Sequence, residues 1–294
     1  MGSARQVVVV GVDGSKDGLV ALAWAAAYAA DRHGRLRVVH VLDDRVAPEH
    51  LAPAIARMLP AGDGTEVLEE SVAELVRLGR DDVAATFEIR HGHPGRTLLE
   101  LTGPGDVLVV GRLGMEGFAE LVVGSTSQRC AALATGPVVV VPDSWQPDGP
   151  RSGRIVVGID GSGTSRPALD FAFELAAARD ATVVAVHAVP IPDLYPEPDV
   201  WLDPDEPPWS ARLELLVSES LAGYATAYPD VPVVRRIAAG HPVQVLATES
   251  RSADLVVVDS VTRPRFTPLL LGSVSRGLLH HAACPVGVIH ESAA

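Results

Sequence analysis

Lysine is almost missing from this chain. Of its 24 basic residues only Lys16 is a lysine; the other 23 are arginines. No GxxxxGK[ST] phosphate loop occurs, so a P-loop motor is excluded. Cysteine is nearly as scarce. Cys130 and Cys284 are too few for a disulfide framework, and no CxxC or Cys/His zinc spacing is present. The expectation is two reduced thiols in a cytoplasmic protein. The N-terminus runs MGSARQVVVVGVDGS, and its apolar run, Val7–Val10, is too short for a secretion signal. No stretch approaches the length of a membrane span. Positive charge is also in deficit: the net charge is −13, which argues against a general nucleic-acid surface.

What the chain has is itself, twice. QVVVVGVDGS (6–15) matches RIVVGIDGS (154–162), and ALAWAAAYAADRHGRLRVVHV (21–41) matches ALDFAFELAAARDATVVAVHA (168–188). GHP recurs at 92–94 and 240–242, GDVLVVG (105–111) returns as ADLVVVD (253–259), and GPVVVVP (136–142) as CPVGVIH (284–290). A repeat this long is a domain duplication and not a solenoid. Residues 1–142 form the first domain, 143–153 a Pro/Gly-rich linker, and 154–294 the second domain.

Within each copy, β-branched runs alternate with helical stretches. In the first, strands are expected near 6–12, 35–42, 83–90, 107–111 and 137–142. Helices are expected near 17–32, 65–79, 95–102 and 126–134. Runs such as VLVV lack polar alternation and suit strands buried on both faces. The fold class is therefore α/β, with two tandem doubly wound domains, each a five-stranded parallel sheet flanked by helices. In such sheets ligands bind beyond the carboxyl ends of the strands, where strand order reverses.

That edge carries the most informative residues. Gly111 ends the fourth strand, Gly114 follows in the loop, and Gly124, Ser125, Thr126 and Ser127 open the last helix. Glycine lets a ligand touch backbone without meeting a Cβ. The helix start offers free N–H groups, hydroxyls and a positive dipole end to an anion. Composition alone also allows a plainer reading, with Gly111 as a strand terminator and Ser125 or Thr126 as an N-cap.

The spacing G-x2-G-x9-G-S, at Gly111, Gly114, Gly124 and Ser125, resembles the nucleotide motif of the universal stress protein family. VDGS after the first strand, HV in the second and GPVVVVP as the last are similar to it as well. The resemblance spans nearly the whole chain as two tandem family domains, and implies an adenine nucleotide as ligand: ATP, or ADP or AMP, with magnesium as a candidate companion. It implies that Asp13 takes a ribose hydroxyl, that the backbone of Val41 meets the adenine edge, and that Gly111, Gly114, Gly124, Ser125, Thr126 and Ser127 hold the phosphates. Gly11 and Gly117 would let the chain approach closely. In the second copy Gly158, Asp160, Gly272 and Ser273 are the matching candidates.

The second copy departs from the motif where Asp259 replaces Gly111 and Thr262 replaces Gly114. A carboxylate about 4 Å from a phosphate costs on the order of 4 kcal/mol per unit charge at an effective dielectric near 20. Arg263 and Arg265 offset part of this. The expectation is a nucleotide held mainly by the first domain. Residues 189–209 of the second copy hold six acids, seven prolines, Tyr195, Trp201 and Trp209. They read as a solvated acidic insertion, or as a lid or docking loop for an unknown protein partner. The apolar strands 137–142 and 285–290 suggest an internal pseudo-dimer of domains, and a homodimer of chains.

No catalytic residue stands out. HGH at 91–93 fits a turn ahead of Pro94 better than a metal site, and His40 and His187 fit strand-end structural roles. The leading reading is an ATP-binding regulatory protein of the stress-response class. The alternative is an enzyme of the same α/β class that hydrolyses ATP or adenylates a substrate. GHPG at 92–95 does not match the HxGH-like signature of such adenylating enzymes.

Overall fold

The computed structural model describes residues 6–43, 63–103, 105–114, 123–161, 165–190, 209–260 and 271–290. Gly117, Thr262, Arg263, Arg265 and nearly all of the acidic segment 189–209 lie outside them. The chain divides into two compact units, residues 1–149 and 150–291.

In the first unit the order is β1 (Val7–Val12), α1 (Lys16–Asp31), β2 (Arg35–Leu42), α2 (Thr65–Arg77), β3 (Ala85–His91), α3 (Pro94–Leu101), β4 (Val107–Gly111), α4 (Ser125–Leu133) and β5 (Val138–Val141). The strands lie in the order β3-β2-β1-β4-β5, and each neighbouring pair is parallel. The middle of the sheet is valine. Val8, Val9, Val10, Val107 and Val109 are fully buried, as expected where helices cover both faces.

Helix α1 explains much of the packing. Ser15 caps it, accepting from the Gly18 N–H at 3.0 Å. Its residues from Val20 to Ala29 are all buried. Six of those ten are alanine, and short side chains let the helix lie close to the sheet. Trp24 and Tyr28 stack at 5.3 Å between ring centroids.

The second unit repeats the plan with β6 (Arg154–Gly158), α5 (Arg166–Arg179), β7 (Thr182–Val189), α6 (Trp209–Ser220), α7 (Tyr224–Ala227), β8 (Val233–Ala239), α8 (Pro242–Glu249), β9 (Leu255–Asp259), α9 (Ser273–His281) and β10 (Val286–Ile289). A 3-10 turn, Ser250–Ser252, follows α8. Its strand order is β10-β9-β6-β7-β8, again all parallel. Its aromatic stack is a different one: Phe173 and Tyr224 lie 4.5 Å apart, and the Tyr224 hydroxyl donates to Asp170 at 2.5 Å.

At the amino edge, one aspartate per unit clasps the chain. Asp106 accepts from the Val7 and Gly103 N–H groups. Asp254 accepts from those of Ser152 and Gly153. At the carboxyl edge, buried histidines do the tying. His40 Nδ1 lies 2.8 Å from the Val12 carbonyl, and His187 Nδ1 lies 2.8 Å from that of Ile159. The structural role expected of both histidines is what these bonds describe. They fasten the ends of β1 and β6 to the neighbouring strands.

Candidate functional site

In the first unit β1 lies between β2 and β4. The chain winds one way from β1 through β2 to β3, then returns to β4 and β5. The reversal opens a crevice between the carboxyl ends of β1 and β4, the usual place for a ligand in such a sheet.

The β1 side of this crevice is Asp13-Gly14-Ser15. Gly14 has φ +80°, which favours glycine there. The turn brings Ser15 back onto Asp13: the Ser15 N–H and hydroxyl both donate to Asp13 Oδ1, at 3.0 and 2.5 Å. Asp13 Oδ2 faces the other wall. A Cβ built on Gly114 would lie 2.6 Å from it. The carboxylate and the bare backbone of Gly114 are therefore in contact across the crevice.

The β4 side is a braced loop. The Arg112 N–H donates to the Val141 carbonyl, and the Arg112 carbonyl accepts from the Gly124 N–H, both at 2.8 Å. The buried Ser127 hydroxyl reaches the carbonyls of Arg112 and Gly124, each at 2.9 Å. Gly124 is the N-cap of α4, with no side chain to cap it. The first-turn N–H groups of Ser125, Thr126 and Ser127 have no acceptor within the helix. Ser125 is exposed and Thr126 half-buried. An uncapped helix start thus opens beside Gly114, whose nitrogen would be 3.7 Å from a Cβ on Gly124.

The structure brings Asp13, Gly114, Gly124, Ser125 and Thr126 together. It gives three other motif residues internal neighbours. Gly111 faces α1: a Cβ there would stand 2.8 Å from the Asp17 carbonyl. Gly11 faces α3, where a Cβ would lie 2.7 Å from Leu98 Cδ1. The Ser127 hydroxyl is spent on the loop it braces. Val41 sits at the end of β2 opposite Arg90 of β3, one residue beyond the His40 tie.

Asp17 is absent from the motif, yet it is the side chain that grips this loop. It stands in the first turn of α1 and is buried. Its Oδ2 accepts from the Leu113 N–H at 2.8 Å. Burial pushes its carboxyl above the usual range; the Leu113 bond opposes this, the Asp143 and Asp13 charges add to it, and Arg112 lowers it. A sequence signal existed. Asp17 and Gly111 occur together in the first copy, and Thr164 and Asp259 stand at the matching places in the second.

In the second unit the frame recurs. Gly272 caps α9 without a side chain, and the Ser275 hydroxyl donates to the Asp259 carbonyl at 2.7 Å. Ser273 is exposed, as Ser125 is. Gly158 faces Leu246 and Val258. Asp160 accepts from the Ser165 hydroxyl at 3.2 Å. Asp259 ends β9. Among the described residues, no group of three or more His, Cys, Asp or Glu side chains is placed to hold a metal ion. No described helix is long and apolar enough to cross a membrane.

The family model for universal stress proteins matches residues 4–142 and again residues 152–290. The chain belongs to the universal stress protein family. It is a tandem member, with one family domain in each unit. A universal stress protein of Mycobacterium tuberculosis is 36% identical over 295 residues, covering 97% of both chains. The crystal structure of one from Archaeoglobus fulgidus, 17% identical, superposes with a TM-score of 0.67 over 97% of this chain and 96% of that one. A universal stress protein solved in complex with cAMP is 27% identical, covers 47% of this chain and 95% of its own, and gives a TM-score of 0.35.

Proposed function

We propose that the first domain binds an adenine nucleotide, with ATP as the expected form, and that the chain acts as a nucleotide-dependent regulator. The observation that carries this is the meeting of Asp13, Gly114 and the uncapped start of α4 in one crevice. Phosphate suits the helix start, where unpaired N–H groups and the dipole attract an anion. A ribose diol suits the Asp13 carboxylate, which accepts two hydrogen bonds. Adenine then extends towards Val41. Magnesium would arrive with the phosphates, since the described residues supply no ligand cluster for it. Binding, and not turnover, is the activity this reading assigns.

The second domain is the weaker site in this reading. Its helix start is intact, but Asp259 brings a carboxylate to the strand end where the first domain has Gly111. One tight nucleotide per chain is expected. Two equal tight sites would overturn this part of the reading.

The test is calorimetric titration of ATP into the intact protein and into Gly114→Val. The added branch collides with Asp13 Oδ2 and fills the crevice. ATP binding should fall by at least roughly a hundredfold, the equivalent of about 2.7 kcal/mol, with the melting transition retained. Equal affinity in the variant removes the proposal.

A further inference from the structure

The loop that would receive the phosphates is held from outside the motif. Its first residues, Arg112 to Gly114, have no regular structure, and backbone N–H groups can serve an anion only if their direction is fixed. Three bonds act at Arg112: to the Val141 carbonyl, from the Gly124 N–H and from the Ser127 hydroxyl. The next amide, that of Leu113, is taken by Asp17 Oδ2 at 2.8 Å. Gly114 follows at once, against Asp13.

Asp17 reaches Leu113 because β4 ends in glycine. A Cβ at Gly111 would press within 2.8 Å of the Asp17 carbonyl carbon, its oxygen and its Cβ. The bare strand end lets the first turn of α1 sit directly on it. The second copy has Asp259 and Thr164 at these positions, so neither half of the arrangement is kept there. The two halves occur in the same domain as the complete glycine motif.

We infer that Asp17 is the positioning residue of the phosphate loop, and that Gly111 serves the ligand indirectly by making room for it. This rests on the nucleotide reading of the same crevice, and deepens it. Asp17 does not touch the ligand. It turns the Leu113 amide inward and so fixes the plane of the next peptide, whose N–H belongs to Gly114. The carboxylate is held in this place against its own preference. Burial and the charges of Asp13 and Asp143 disfavour it, and only Leu113 and Arg112 favour it.

The experiment compares the full-length protein with Asp17→Ala and Asp17→Asn. Asparagine keeps an acceptor oxygen for the Leu113 N–H, and alanine does not. Two readouts are taken: affinity for ATP and for adenosine by calorimetry, and exchange of the Leu113 amide by NMR. Adenosine has the base and ribose but no phosphate, so loop position should not matter to it. The alanine variant should bind ATP roughly tenfold more weakly, as expected for loss of one hydrogen bond to a charged group. Adenosine affinity should stay within about twofold. Asparagine should restore ATP binding to near the original value. Unchanged ATP affinity in the alanine variant, or an equal loss for adenosine, overturns the inference. If the unmodified protein binds no nucleotide, the nucleotide reading fails, and amide exchange decides the latch alone. Leu113 protected in the original and the asparagine variant, but not in the alanine variant, supports the latch. Equal protection in all three removes it.

Discussion

The two domains solve one packing problem with opposite residues. In the first, α3 meets α4 where Gly95 lies under the stem of Arg129; a Cβ on Gly95 would come within 2.9 Å of Arg129 Cδ. In the second, α8 meets α9 where Gly277 lies under Val243; a Cβ on Gly277 would come within 2.6 Å of Val243 Cγ2. The matching positions have exchanged sizes: glycine faces arginine in one copy, and valine faces glycine in the other. Close helix contact needs one missing side chain, and does not care which helix lacks it. The ties at the strand ends have drifted far less. His40 and His187 make the same bond at the same 2.8 Å, and Ser127 and Ser275 both brace the end of the fourth strand, at the Arg112 carbonyl in one copy and one residue earlier, at the Asp259 carbonyl, in the other. The copies therefore agree on what holds the sheet edge and differ on what a ligand would meet.

The strongest way to test that contrast is to move one domain's solution into the other. Gly277→Arg should cost the protein about 2 kcal/mol, because Val243 already occupies the space. Val243→Gly should also destabilise, by removing packing. The double variant, which copies the first domain's pair, should recover a large part of the loss. A coupling of about 1–2 kcal/mol in denaturant unfolding is expected; additive losses would show that the exchange is coincidental. Gly111→Ala should cost about 1–3 kcal/mol, because its new methyl meets backbone and not a flexible side chain. The matching position of the second domain already carries Asp259, so Asp259→Ala should be near neutral. Similar losses at both sites would break the comparison.

Where the domains agree, equal effects are expected. His40→Phe and His187→Phe each leave a strand-end carbonyl without its donor, at about 1–3 kcal/mol apiece. Only the His40 change should weaken nucleotide binding. The smallest effect concerns the Asp17 charge. A carboxyl raised in the folded state binds protons more tightly folded than unfolded, so its ionised form weighs against folding. Asp17→Asn should accordingly melt higher at neutral pH. The advantage should fade as pH falls through the Asp17 titration, where the original side chain also becomes neutral. Thermal melts from pH 4 to pH 8 check both the sign and the disappearance.

The frame was legible because valine runs, alanine-rich helices and glycine-bounded turns are local signals. All five strands and four helices expected in the first copy stand within about two residues of where those signals put them. The duplication supplied a second reading of every element. The site was legible only in part. Spacing named Gly111, but could not say whether a ligand or a helix filled the space of its missing side chain. The neighbour is α1, because Asp17 is more than ninety positions away in sequence and touches it only through the fold. Ser127 was named for the same helix start as Ser125, but the helical turn carries its hydroxyl inward. Asp17 stayed hidden because one acid in a first turn ordinarily signals nothing beyond a favourable helix dipole.

The position of β1 between β2 and β4 has a consequence for how this protein is made. Val8 pairs with Leu36 on one side and Val107 on the other, so the central strand waits for roughly a hundred further residues before its second neighbour exists. At about 5–20 residues per second on the ribosome, that is several seconds with one apolar flank unpaired. β6 is a near copy of β1 and is equally able to seek β4. Synthesis from the N-terminus settles the rivalry by timing. β4 is complete about forty residues before β6 emerges, which gives the correct pair a lead of roughly 2–8 seconds. A chain diluted from denaturant has no such lead. Its refolding yield should rise when the two domains are refolded as separate polypeptides, each with a single candidate for the central place.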